Sequence, residues 1–179
     1  MKAWLAVPLL LALVAVAENP TPAVRSAQFD PLVNRRISSM EGLAIVVDRS
    51  NPASNITMAE LREIFIGDRR WWAHDRRIKL AGLQHGTAER ETILKKIYKM
   101  DDRELGRYFF FEIYRGAPIN PPIALQTPSQ VRRFVASNPG AIGYLRASDV
   151  DNSVKVLRIN GLLPGDDGYP LRLRTRAAK

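Results

Sequence analysis

The chain has 179 residues, of which 46% are apolar, and it carries a formal net charge of +9. This apolar content excludes an intrinsically disordered chain. Because there is no cysteine, disulfide bonds, thiol catalysis and cysteine-based metal sites are excluded as well. The positive charge favours acidic partners in general, such as small anions, anionic lipid or nucleic acid, without naming one.

The N-terminus has the three parts of a secretory signal. Met1-Lys2 gives a positive start, Trp4–Val16 is an apolar run, and small residues up to Ala17 precede Glu18. The run is shorter than the roughly 20 apolar residues that a spanning helix needs. We therefore predict a cleaved signal peptide over residues 1–17, export to the periplasm and no membrane span after cleavage. In that compartment nucleic acid is not an expected partner.

Folded structure is predicted from about residue 41 onward. Residues 18–40 are rich in Pro, Ser, Asn and Arg without sustained periodicity, which predicts a mobile lead-in. Residues 41–175 are predicted to form a single domain. Leu43–Val47 is a continuous apolar run with branched residues, typical of a strand buried on both faces. Thr57 and Glu60 have the spacing of a capping box, and the helix that they open is predicted to end at Gly67.

The middle of the chain predicts a strand followed by two helices. Ile78–Leu83 is the strand, and Gly86-Thr87 opens a helix that continues to Met100. Asp101 and its neighbour cap another helix that runs to Arg115. The Tyr108–Tyr114 segment of this helix is apolar nearly all round, so we predict that it is largely buried.

The last third predicts one more helix and several strands. After a proline-rich loop, Thr127–Gln130 has capping-box form with proline at the first helical position, and this helix ends near Gly140. The strand candidates are Ala141–Leu145, Val154–Ile159 and Leu171–Leu173. Strands that alternate with helices predict an α/β fold with three layers, a mixed central sheet and flanking helices. Leu43–Val47 is expected at a central position in this sheet.

Five segments, in this order, resemble the phosphate-binding proteins of ABC transporters. They are the strand and turn Gly42–Pro52; TMAELREIFIG, Thr57–Gly67, followed by Trp71-Trp72; GTAERETI, Gly86–Ile93; NPGAIGYL, Asn138–Leu145; and the closing LRINGLLPGDDGYPL. The match covers roughly residues 40–173. It implies a lobe like those of periplasmic binding proteins, and a non-enzymatic protein that binds phosphate or a similar oxyanion for transport. The chain has room for about one of the family's two lobes.

The resemblance also implies a site at the start of the second helix. The family's Ser-Gly-Thr turn, which enters a helix, falls on Thr87, Ala88 and the residue after them. Free N–H groups at a helix N-terminus attract anions. We therefore take Gly86, Thr87, Ala88 and Arg90 as the candidate oxyanion-binding residues. The alternative is a plain helix N-cap, with Arg90 in solvent or paired to Glu89.

Two positions depart from the family's pattern. Its arginine four residues before the serine falls on Leu83, and its threonine falls on Glu89. A missing guanidinium and an added carboxylate both oppose anion binding. The alternative function is therefore a one-lobe relative without ligand that acts as an interaction module for another envelope protein.

The remaining candidate motifs favour structural roles. Arg69–Arg77 interleaves cations with two tryptophans, a pattern that stacks nucleic-acid bases in some proteins, but a loop whose tryptophans pack on the core is the favoured interpretation. His74 and His85 have no neighbours at metal-ligand spacing. No serine lies in a nucleophile elbow. We predict no catalytic residue, no metal and no cofactor.

Overall fold

The computed structural model describes residues 42–73 and 75–173. The predicted signal peptide (1–17) and lead-in (18–40) lie outside the described residues, as does His74. Within these ranges there are seven strands: β1 (Leu43–Asp48), β2 (Asn55–Ile56), β3 (Lys79–Leu83), β4 (Ile123–Leu125), β5 (Ala141–Arg146), β6 (Val154–Val156) and β7 (Arg158–Ile159). Five of them make one sheet in the order β4-β3-β5-β1-β6, and β2 pairs with β7. Since β1 is antiparallel to β5 and β6 whereas β3 is parallel to β4 and β5, the sheet is mixed, as predicted.

In the described part of the chain, four α-helices connect the strands. They are α1 (Met58–Ile66), α2 (Ala88–Ile93), α3 (Asp102–Tyr114) and α4 (Pro128–Ser137). A π-helical segment, Leu94–Tyr98, continues α2 without a break, and a short 3₁₀ turn follows β5. Among the described residues, no helix combines the length and the apolar character that crossing a membrane requires.

Helices cover both faces of the sheet. Neighbouring residues of a strand point to opposite faces, and β5 shows this at Gly143 and Tyr144. A Cβ at Gly143 would lie 3.0 Å from Val131 of α4, whereas the Tyr144 ring lies 6.4 Å from the ring of Phe65 in α1. The predicted α/β fold with three layers is confirmed.

The first strand is fully enclosed. All five residues of Leu43–Val47 have no exposed surface, and β1 lies inside the sheet between β5 and β6. Burying an aliphatic side chain of this size contributes about 1.5–3 kcal/mol. The continuous apolar run therefore has the structure that it predicts, a strand covered on both faces.

Reciprocal capping boxes fix the start of two helices. At α1, Thr57 Oγ1 accepts from the N–H of Glu60 (3.1 Å), and Glu60 Oε2 accepts from the N–H of Thr57 (2.8 Å). Asp101 and Glu104 repeat the arrangement at α3, with both distances 2.8 Å. Both predicted starts are confirmed, and α1 ends at Gly67 as predicted.

Gly140 joins the NPGAIGYL segment to the rest of the fold. Its φ is +89°, and a Cβ there would lie 2.4 Å from the carbonyl oxygen of Arg77, so any side chain is excluded. The N–H of Gly140 donates to Asp48 (3.1 Å), and its carbonyl accepts from Trp72 Nε1 (3.0 Å). This glycine therefore links the end of β1 to the loop before β3.

The prediction of a largely buried Tyr108–Tyr114 segment is wrong. Within α3, Leu105 and Phe109 are buried, but four apolar side chains are exposed: Phe110 by 64%, Phe111 by 55%, Ile113 by 51% and Tyr114 by 81%. Residues four apart share a helix face, so Leu105 and Phe109 form one inward stripe. Nothing among the described residues covers the opposite face.

Smaller differences lie at the sheet margins. Val154–Ile159 divides into β6 and β7, because its last two residues pair with β2 instead of β1. Leu171–Leu173 gives a single bridge, between Gly42 and Arg172, instead of a strand. The short edge strand β4 was not predicted.

Candidate functional site

The predicted oxyanion turn lies between β3 and α2, at the carboxyl end of β3. Gly86 has φ +84° and lies in open space, a left-handed conformation that glycine adopts without strain. Thr87 is the N-cap of α2, with its Oγ1 3.3 Å from the N–H of Arg90. The turn is accessible to solvent at Gly86 and Ala88.

A run of unused N–H groups is the chemical feature of this turn. Within the described residues, the N–H groups from Gly86 to Glu89 donate to no acceptor. Such groups carry the positive end of the helix dipole, and they can bind the oxygen atoms of an anion directly. That Gly86, Thr87 and Ala88 bind an anion stays a prediction.

Arg90, the fourth candidate residue, has other partners. Its Nε donates to Asp102 Oδ1 (2.7 Å) and its Nη1 to the carbonyl of Leu83 (3.2 Å), and its side chain is 14% exposed. His85 Nδ1 lies 2.9 Å from the second carboxylate oxygen of Asp102. Burial alone would raise the pKa of Asp102, but the hydrogen bonds from His85 and Arg90 hold it below its ordinary value. The role of Arg90 in anion binding stays a prediction.

Glu89 is neutralised by an ion pair with a residue distant along the chain. Its carboxylate is buried and accepts from Arg146 through Nε (2.8 Å) and Nη2 (2.7 Å). Because β3 and β5 are parallel, Arg146 at the end of β5 lies at the same sheet edge as the turn after β3. The sequence did not reveal Arg146, since only the strand order brings it next to α2.

Leu83 belongs to the core beneath the turn. It is 2% exposed, and its N–H donates to Tyr144 Oη at 3.1 Å. Burial raises the pKa of Tyr144 to about 12. Burial also raises the pKa of Tyr98, whose hydroxyl has no hydrogen-bond partner among the described residues. An arginine at position 83 would enter this apolar interior instead of an open cleft.

The basic segment Arg69–Arg77 divides into buried and exposed parts. Trp72 is 4% exposed and the Arg69 guanidinium lies 5.9 Å from its ring centroid, while Arg69 also pairs with Glu60 at 3.1 Å. Trp71 is half exposed. The favoured structural interpretation is thus confirmed for Trp72, and Trp71 lies at the surface.

Comparisons with known proteins agree with the resemblance. No protein-family model matches the chain. The phosphate-binding protein PstS of Bacillus subtilis (strain 168) is 28% identical over 138 residues, which are 74% of this chain and 40% of that protein. The crystal structure of an ABC-type phosphate transport receptor from Vibrio cholerae matches with a TM-score of 0.57 and 24% identity, over 69% of this chain and 48% of the other.

A second solved structure shares the same fold. It is a putative phosphate ABC transporter substrate-binding protein from Clostridium perfringens with bound phosphate; it has a TM-score of 0.57 and 20% identity, over 72% of this chain and 48% of the other. The predicted resemblance to phosphate-binding proteins, over about one lobe, is confirmed. This chain spans less than half the length of these three relatives.

Proposed function

We propose that this chain is an exported, non-enzymatic protein that binds phosphate or a similar oxyanion, and that it is related to the substrate-binding proteins of ABC transporters. Two findings support the proposal: the similarity to PstS over 138 residues and the lobe fold shared with phosphate transport receptors. The predicted signal peptide supports a periplasmic location. The predicted ligand residues are Gly86, Thr87, Ala88 and Arg90.

The observation that carries the proposal is the run of unused N–H groups from Gly86 to Glu89. A tetrahedral oxyanion accepts several hydrogen bonds at once, and N–H groups that converge at a helix start supply them without a charged side chain. This explains how an anion can be bound where the family's arginine is replaced by Leu83. The Thr87 hydroxyl, at the rim of the same turn, donates to the carbonyl of Gln84 (3.3 Å), so it could donate to an anion only by giving up that bond.

Calorimetric titration with phosphate and with sulfate tests the proposal, and Ala88→Pro is the informative variant. Proline at the first helical position removes one N–H and suits the helix. Thr87 already has φ −90° and ψ 143°, the conformation that a residue before proline prefers. A charge-assisted hydrogen bond contributes about 1.5–3 kcal/mol, so Ala88→Pro is expected to weaken phosphate binding by about tenfold to a hundredfold.

The matched control is Ala88→Ser, which keeps the N–H and should bind as the unaltered chain does. Glu89→Thr is the opposite test. It restores the family's residue and releases Arg146 from its ion pair at the same helix start, so we expect tighter phosphate binding. No heat from the unaltered chain and from Glu89→Thr at millimolar phosphate would contradict the proposal, and it would favour an envelope interaction module instead.

A further inference from the structure

The outer face of α3 carries two arginines in the first half of the helix and three aromatic rings in the second half. At 100° per residue, Arg103, Arg107, Phe110 and Tyr114 fall on one side of the helix, with Phe111 at its margin, and all five are exposed. The rings of Phe110 and Tyr114 stack with centroids 6.3 Å apart, and Phe111 meets Phe110 edge-on at 5.7 Å. We name these five residues the α3 face.

The α3 face itself is positive, since its two charged residues are both arginines. Each acidic side chain of the helix is engaged elsewhere, since Asp102 binds Arg90 and His85, Glu104 caps the helix start, and Glu112 pairs with Arg115. Arg103 and Arg107 have no ion pair among the described residues. The whole chain adds to this field, since its formal net charge is +9.

We propose that the α3 face docks the protein onto an anionic lipid surface, lying flat in the interface. Arginines that neutralise lipid phosphates and aromatic rings that enter the headgroup boundary form the usual pair of contacts of an interfacial helix. Tyr114, the most exposed of the rings at 81%, has an apolar ring and a polar hydroxyl, which suits this boundary. The proposed contact is a peripheral one, made by the exposed surface of α3.

Self-association explains the α3 face less well. At roughly 200 Å² for each aromatic side chain, the exposed fractions of the three rings give about 400 Å² of apolar surface. A stable interface needs about 800 Å² from each partner. Two copies would also bring Arg103 and Arg107 together with their counterparts, and like charges at an interface oppose association.

Vesicle co-sedimentation tests the proposal with the exported form of the protein. Vesicles that contain phosphatidylglycerol should bind it, and vesicles of phosphatidylcholine alone should bind it at least tenfold more weakly. Each cation near an anionic surface contributes about a fivefold factor in affinity. Arg103→Gln/Arg107→Gln should therefore lose about twenty-five-fold, and Phe110→Ser/Phe111→Ser/Tyr114→Ser should also lose at least tenfold.

The matched control, Lys79→Gln/Arg133→Gln, removes the same charge from two exposed positions outside α3, and its loss should be clearly smaller. Circular dichroism checks that each variant folds, which these exposed positions favour. Equal losses for the two double variants, or no binding to phosphatidylglycerol, would overturn the proposal. So would a dimer in sedimentation equilibrium without lipid that the aromatic triple variant dissociates, because the α3 face would then be a contact between copies.

Discussion

Replacing Arg90 by alanine separates a structural role from an anion-binding role. The guanidinium joins α2 to Asp102 at the start of α3 (2.7 Å) and to the carbonyl of Leu83 in β3 (3.2 Å), with 14% of its side chain exposed. A hydrogen bond between charged groups contributes about 1.5–3 kcal/mol. Asp102 is one-third exposed and keeps His85 as a partner, so the lower part of this range applies. We expect Arg90→Ala to lower the free energy of unfolding by about 2 kcal/mol.

The pH dependence of the destabilisation by Arg90→Ala shows whether it comes from the ion pair with Asp102. The pKa of Asp102 lies below its ordinary value of 3.8 in the folded protein. A carboxyl group with a depressed folded pKa stabilises the protein above its unfolded pKa, and this contribution is lost as the pH falls through the folded pKa. The destabilisation by Arg90→Ala should therefore be constant near neutral pH and should shrink below about pH 4.

Urea denaturation at pH 7 and at pH 3, with Asp102→Asn and the double variant completing a cycle, measures both effects. Arg90→Lys is the control, because it keeps the charge but not the forked geometry that reaches two acceptors. An unchanged denaturation midpoint for Arg90→Ala, together with weaker phosphate binding, would refute this reasoning. Arg90 would then act on the anion, as the resemblance to phosphate-binding proteins implies.

Three further substitutions test the fold by chemical denaturation. Thr57→Ala should cost about 1 kcal/mol, since the N–H of Glu60 loses its acceptor, and Thr57→Ser should restore most of it; an unaffected midpoint would exclude Thr57 as the cap. Gly140→Ala should cost at least about 3 kcal/mol, because a left-handed backbone is combined with a Cβ 2.4 Å from the Arg77 carbonyl. Leu83→Arg should cost more than about 3 kcal/mol by burying an unpaired charge. A folded Leu83→Arg protein with improved phosphate binding would show that position 83 reaches the anion.

The parts of the fold that local patterns determine could be predicted from the sequence. Leu43–Val47 is apolar at every position because both of its faces are covered, and this property needs no knowledge of its neighbours. The capping boxes at Thr57 and Asp101 are complete within four residues. By contrast, β4 has three residues and depends on its pairing with β3, so no local sequence pattern predicts it.

The exposed side of α3 illustrates why burial is harder to predict than helix formation. A helix with apolar residues on most sides is either enclosed by other elements or has an exposed outer face that contacts a partner. The sequence shows the rings but not which elements surround them. Here Phe109 meets the Tyr98 ring at 6.4 Å on the inner side, and no described element lies over Phe110.

The candidate site shows the same division between local and long-range information. The turn from Gly86 to Ala88 could be found because glycine, a capping hydroxyl and a helix start are adjacent in the sequence. The ion pairs of Glu89 and Arg90 could not be predicted from the sequence. Glu89 pairs with Arg146, which lies 57 residues away along the chain, and Arg90 pairs with Asp102, which lies 12 residues away.

The ion pairs near the turn affect whether another arginine could replace the family's arginine, whose position is Leu83 in this chain. The two guanidinium groups near the turn, on Arg90 and Arg146, are each neutralised by a carboxylate of the same chain. A bound anion would meet backbone N–H groups first and would compete with Glu89 for Arg146. Removing a single N–H at Ala88 therefore tests the proposed phosphate site at the first contact that an anion would make.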